Sequence, residues 1–134
     1  ISELYKSDKW LVFIAISVSL LLSFWAINAD DILNNDGVEY LKSSRAMLQG
    51  DWAVAIETYK WPFYSALIAL VSSISGLTLT ASAHTVNAVA YVWLMLAFVA
   101  MVQLLGGKRS TLWFALLVIL AFPMLNKYRQ YLIR

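Results

Sequence analysis

The sequence contains no cysteine, only one histidine (His84), two prolines and five glycines. Without cysteine, disulfides and thiolate metal sites are excluded. Charge is scarce as well: 13% of residues are charged, against about 25% in an ordinary soluble domain. The net charge of +2 is too small to suggest a nucleic-acid partner. The chain has no HExxH, GxSxG, glycine-rich phosphate loop or EF-hand pattern, so no common catalytic or metal motif names a reaction. There is no internal repeat and no low-complexity segment. What is abundant is apolar surface. Of the 134 residues, 61% are hydrophobic, and the mean hydropathy is +0.70. That excess is more than a buried core needs and points to a bilayer as solvent.

The apolar residues fall in runs. Trp10 to Ile27 is eighteen residues without a charge, roughly 27 Å as a helix and close to the hydrocarbon thickness of about 30 Å. Its length and its ending, "SFWAIN", set it apart from a signal peptide, whose apolar core is about 7–15 residues before a small-residue cleavage site. Lys6 and Lys9 precede it and favour a cytoplasmic N-terminus. Residues 80–105 form a second span with only His84 ionisable, read as an interfacial or helix-packing residue. Asn87 and Gln103 in that span are read as interhelical hydrogen-bonders, and Ser17, Ser19 and Ser23 in the first span as permitting close helix approach. "GGKRS", Gly106 to Ser110, is a tight turn. Residues 111–128 form a third span, its last turn loosened by Pro123. The expected fold is therefore an all-α integral membrane protein with three transmembrane helices, over 10–27, 80–105 and 111–128.

Between the first two runs lies a polar stretch, Asn28 to Lys60, with six of the eight acidic residues. Residues 36–49 are predicted to form an amphipathic helix, with Val38, Tyr40, Leu41, Met47 and Leu48 on one side and Glu39, Lys42, Ser43 and Gln49 on the other. Gly50 ends it, and Asp51 caps a second short helix over 51–60. Such helices lie flat in the membrane interface. Residues 61–77, "WPFYSALIALVSSISGL", either lie in the interface or cross as a fourth span. Outside the long loop, three spans place four cations inside and three outside, and four spans place five and two. The positive-inside rule thus leans to four, whereas the segment's proline, glycine and serines lean to three. Ile1 in place of Met, and a stop at Arg134 after an aromatic-basic run, lead us to expect a piece of a longer protein.

The residues able to carry chemistry cluster in the polar loop: Asp30, Asp31, Asp36, Glu39, Lys42, Arg45 and Lys60. Asp36 and Glu39 fit a capping box, as N-cap and N3, while Asp30 and Asp31 keep the loop in water and Lys42 and Arg45 edge the helix or touch lipid headgroups. Capping is compatible with catalysis. A carboxylate at a helix N-terminus stays ionised, as a general base taking a proton from a hydroxyl must.

"NDGVEYLKSSRAMLQGDW", then "YKWPFYSALIAL", then a helix ending "LLGGKRS", resembles the start of bacterial polyprenyl-phosphate-sugar glycosyltransferases of the GT-C membrane fold, related to protein O-mannosyltransferases and aminoarabinose transferases of lipid A. The resemblance covers nearly the whole chain, through loose motifs, and implies the N-terminal quarter or so of such an enzyme. It implies an aspartate ahead of the first interfacial helix acting in catalysis, here Asp36. Where relatives carry Asp-Glu, this chain has Asp36-Gly37, so Asp31 and Glu39 are the supporting carboxylates. No cofactor is required by the resemblance; a divalent metal stays open. It further implies that Lys60, just before the aromatic-proline segment, binds the donor phosphate, that residues 61–77 lie at the outer face, and that Lys127, Arg129 and Arg134 lie outside, where Arg134 would assist Lys60. The implied partners are a polyprenyl-phosphate-linked sugar, membrane lipid and a glycan, lipid or protein acceptor. The implied location is the bacterial inner membrane, with the N-terminus cytoplasmic and the first loop periplasmic. The rival reading is a non-enzymatic helical scaffold or transporter subunit.

Overall fold

The computed structural model describes residues 8–29, 35–129 and 131. The described residues are helical, with no strand among them: α1 Lys9–Ala29, α2 Asn35–Leu48, α3 Trp52–Thr58, α4 Phe63–Ser75, α5 Leu79–Leu104, α6 Arg109–Ala121 and α7 Pro123–Lys127. They divide into two compact units. One holds residues 8–29 and 88–129, the other 35–87 and 131. Two helices are long and apolar enough to cross a membrane, over Lys9–Asn28 and Leu79–Leu104. α4 and α6 have 13 residues each, roughly 20 Å, short of a hydrocarbon core of about 30 Å.

In the first unit, α1 starts at a cap absent from the sequence reading. The Leu11 amide donates to Asp8 Oδ1 at 3.2 Å, and Asp8 Oδ2 accepts from Arg109 Nε at 2.8 Å and Trp113 Nε1 at 3.0 Å. One nearly buried carboxylate thereby ties the N-terminal ends of α1 and α6 together. The bond to the Arg109 guanidinium holds the Asp8 carboxyl below its ordinary value of 3.8. Burial opposes this, while the Leu11 amide and the Trp113 indole add to the lowering. Beneath this tie Leu11, Val12 and Ala15 of α1 pack with Leu96 and Val99 of α5 and with Leu112 and Leu116 of α6. The α5–α6 turn is tight. Gly106 has φ +85°, and Gly107 sits so close to Val102 that a Cβ there would lie 2.7 Å from its carbonyl oxygen.

The expected third span, 111–128, is two helices. α6 ends where Phe122 turns extended (ψ 112°) ahead of Pro123, which opens α7. A residue before proline is driven out of the α region, so the predicted loosening is a full break. Beyond it, Arg129, expected as a loop cation, is buried. It is 1% exposed. Its Nη1 donates to Ser19 O and Oγ at 3.0 and 3.2 Å and to Ser23 Oγ at 2.8 Å, its Nε donates to Asn126 Oδ1 at 2.9 Å, and its guanidinium lies 4.5 Å from the Tyr91 ring centroid. Ser19 and Ser23 therefore act as acceptors for a buried cation, a use beyond close helix approach.

In the second unit α2 packs on α3 and α4 through small residues. Ser43, Ser44, Ala55 and Ser65 are fully buried. Ser43 Oγ donates to Ala55 O at 2.9 Å, and Ser44 Oγ contacts Tyr40 O at 2.7 Å and Ser65 O at 2.9 Å. Ser43, expected on the polar face, is inside, and Leu48, expected on the apolar face, is exposed. Close backbone approach selects small side chains there, and the Ser43 and Ser44 hydroxyls are tolerated because carbonyls satisfy them. Gly50, at φ +81°, closes α2 as predicted, and Asp51 caps α3 by accepting from the Val54 amide at 3.1 Å. α2 begins at Asn35, so Asp36 lies inside the first turn and is not its N-cap.

Candidate functional site

Three tyrosines converge in the second unit. Tyr40 comes from the middle of α2, Tyr59 from the extended residue that ends α3, and Tyr64 from the first turn of α4. Tyr40 is 3% exposed, and its ring meets those of Tyr59 and Tyr64 edge-on, with centroids 4.6 and 4.8 Å apart. The ring quadrupoles favour this geometry. The Tyr40 and Tyr59 hydroxyls are 3.1 Å apart. Tyr64 donates to Asn87 Oδ1 at 2.8 Å, and Asn87 Nδ2 donates to Tyr131 O at 2.9 Å. Asn87 is thus the helix-linking group read from the sequence, and it fixes how far Tyr64 can rotate.

These rings wall a cavity of about 750 Å³, whose remaining lining is Glu57, Thr58, Lys60, Trp61 and Phe63. The volume lies within the range of small-molecule sites, about 300–1,000 Å³. The local sequence explains the opening. α3 is only seven residues long, and Tyr59 leaves it in extended conformation. Pro62 then sets the start of α4. The bend between them brings Lys60 and Trp61 to the rim, both exposed.

Burial pushes the Tyr40 hydroxyl well above its ordinary pKa of 10, helped by the bond to Tyr59 and the negative charge of Asp36. Burial raises Tyr64 to about 12, against the opposing bond to Asn87. Both phenols remain protonated at physiological pH. They can bind and orient polar groups, but they do not supply a base; among the residues lining the cavity, a carboxylate comes only from Glu57.

The predicted site residues are only partly brought together. Lys60 lines the cavity. Asp36 does not; it lies one turn before Tyr40 on α2, half-buried, and acts on the site through its charge. Glu39 forms an ion pair with Lys42 at 2.9 Å on the exposed face of α2, so this carboxylate is engaged locally. Asp31 and Arg134 lie outside the described residues, as does Asp30. No group of three or more histidine, cysteine, aspartate or glutamate side chains that could hold a metal gathers among the described residues. Glu57 and the tyrosine cluster were missed from sequence. The available signal was aromatic and polar residues flanking a proline, "ETYKWPFY".

No known protein family matches the chain, nor does any curated protein or solved structure.

Proposed function

We propose that this chain belongs to a bacterial inner-membrane glycosyltransferase that moves a sugar from a polyprenyl-phosphate donor to an acceptor hydroxyl at the external face. The observation that carries the reading is the position of Lys60. It places a flexible cation on the rim of a tyrosine-lined cavity, next to the helix that bears Asp36. A cation there suits a departing phosphate, and protonated phenols suit sugar hydroxyls.

A membrane setting is supported by where the apolar surface points. Only about a third of the apolar window of α1, 33%, and 28% of that of α5 is buried. Trp10, Phe13, Leu21, Phe24 and Trp25 of α1 all face outward. The core helix of a soluble protein would hide these faces, and a contiguous apolar surface of this kind calls for lipid or a partner.

In the reaction, the acceptor oxygen attacks the anomeric carbon as the bond from that carbon to the phosphate oxygen breaks. Asp36 does not line the cavity, so the acceptor would bind on the α2 side of Tyr40, where Asp36 takes its hydroxyl proton. The polyprenyl phosphate leaves with its new charge facing Lys60, and configuration inverts in a single displacement.

The test is sugar transfer in membranes carrying the full protein and a polyprenyl-phosphate sugar. Asp36→Asn is expected to lower turnover by about 10²–10⁴-fold, the usual contribution of a general base, while insertion is unchanged. Lys60→Ala is expected to weaken donor use. Near-normal turnover by Asp36→Asn removes that residue from the mechanism.

A further inference from the structure

Within the first unit, α1 and α6 leave a groove of about 670 Å³ between them. Ile14, Val18 and Leu22 form one wall and Trp113, Leu117 and Leu120 the other. The walls run eight positions along α1 and seven along α6, roughly 10–12 Å. One turn before Trp113, on the same face of α6, stands Arg109. Its side chain is 71% exposed even while bonded to Asp8. Lys108 beside it and Lys9 at the start of α1 are exposed too. Two exposed cations, Lys108 and Arg109, are thus set against one nearly buried carboxylate, Asp8. Lys108 precedes α6 without giving its amides a side-chain cap, so the positive end of that helix points the same way.

A hydrocarbon slot that ends in excess positive charge matches one kind of molecule. We infer that this groove is a binding site for an anionic glycerophospholipid of the leaflet around the N-terminus. One acyl chain lies along the groove, and the phosphate rests on Lys108 and Arg109. The inference uses the membrane setting proposed above and not the transferase chemistry. A zwitterionic headgroup brings its own cation to the same place and gains less. Trp10, 69% exposed one turn before Ile14, and Trp113 at the groove's mouth stand where indoles favour the headgroup level.

The experiment begins with the full chain reconstituted in nanodiscs of equal parts phosphatidylcholine and phosphatidylglycerol, released into mild detergent and weighed intact by native mass spectrometry. Wild type is expected to retain phosphatidylglycerol over phosphatidylcholine by roughly fivefold or more, the factor that one basic side chain supplies at an anionic surface. Lys108→Gln is expected to reduce that preference, and Leu117→Trp, which fills the groove, to lose both lipids at unchanged helicity. A second readout covers misfolding of that variant. Phosphatidylglycerol brominated on its chains should quench wild-type fluorescence, with a larger loss of quenching in Trp113→Phe than in Trp93→Phe, a residue exposed on α5. Equal retention of the two lipids by wild type, full retention by a folded Leu117→Trp, or equal quenching losses in the two tryptophan variants overturns the site. Release of the protein by alkaline carbonate would instead overturn the membrane setting itself.

Discussion

At the scale of single residues, two charged side chains organise the first unit, and neither is conspicuous in the sequence. Arg129 is held by Ser23 and Ser19, 106 and 110 positions away. No local pattern encodes such a partnership, whereas the Asp51 cap, three residues from its amide, was legible at once. A hydrogen bond to a buried charge contributes about 1.5–3 kcal/mol, so Ser23→Ala should lower stability by about that amount in thermal unfolding followed by near-UV circular dichroism in micelles. Arg129→Lys should be no milder, since an ammonium cannot reproduce the planar reach to Ser19, Ser23 and Asn126 together. Asp8 supplies a pH dependence. Its folded pKa lies below the ordinary 3.8, so its contribution is complete above that value and fades as pH falls through the folded pKa. Wild type should therefore lose part of its unfolding temperature on acidification past 3.8, and Asp8→Asn, already less stable at neutral pH, should lose less over that window. Parallel acid profiles for the two proteins would show that the Asp8 tie contributes nothing.

At the scale of elements, what was legible depended on whether a rule is local. The two long apolar helices, the stop at Gly50 and the start at Asp51 follow from short windows and were all readable. The break at Phe122 was half-readable: Pro123 announced a disturbance, but only the structure separates a kinked helix from two short ones. The buried face of α2 was misread where hydropathy stood in for packing, because contact with α3 and α4 selects small residues, and Ser43 meets that demand better than Leu48 does. The candidate cavity shared this fate. Lys60, which lines the cavity, was singled out only through the resemblance, while Tyr40 was read only as an apolar-face residue, because the rings around it come from beyond α2. The α5–α6 turn gives the sharpest test at this scale. Any Cβ at position 107 meets the Val102 carbonyl oxygen at 2.7 Å, and the Gly107 amide already donates to that oxygen at 3.0 Å. The backbone must shift, at a cost of about 1–3 kcal/mol as for other overpacked sites. Gly107→Ala should be destabilised by that amount in the same unfolding assay, whereas Ser110→Ala, an exposed first-turn position, should change little.

At the scale of the whole molecule, the membrane setting proposed above, taken with one contact, constrains the path of the chain. Asp8 and Arg109 are 2.8 Å apart, so the chain positions before α1 and before α6 share one side. α1 leaves that side, and α5, which ends in the tight turn before Arg109, returns to it. In that proposed setting the stretch between α1 and α5 would begin and end on the far side, and α4, at 13 residues, need not cross alone. Crossings by α1 and α5 satisfy this condition, whereas an added crossing by 61–77 would put Asp8 and Arg109 on opposite faces and pull their bond apart. In the proposed membrane setting, the positive-inside rule would make the side bearing Lys9, Lys108 and Arg109 the cytoplasmic one. The sequence was undecided here because the rule counts Arg129 as a loop cation, and Arg129 is buried against α1. Removing it from the external count of three leaves two, against four inside, and the charge rule no longer opposes three spans. Ser110→Cys and Ser75→Cys, both exposed positions, should report this directly. With a membrane-impermeant maleimide on intact cells, Ser75→Cys should react and Ser110→Cys should stay protected until the membrane is opened. Labelling of Ser110→Cys from outside, with Ser75→Cys protected, would place α4 across the bilayer.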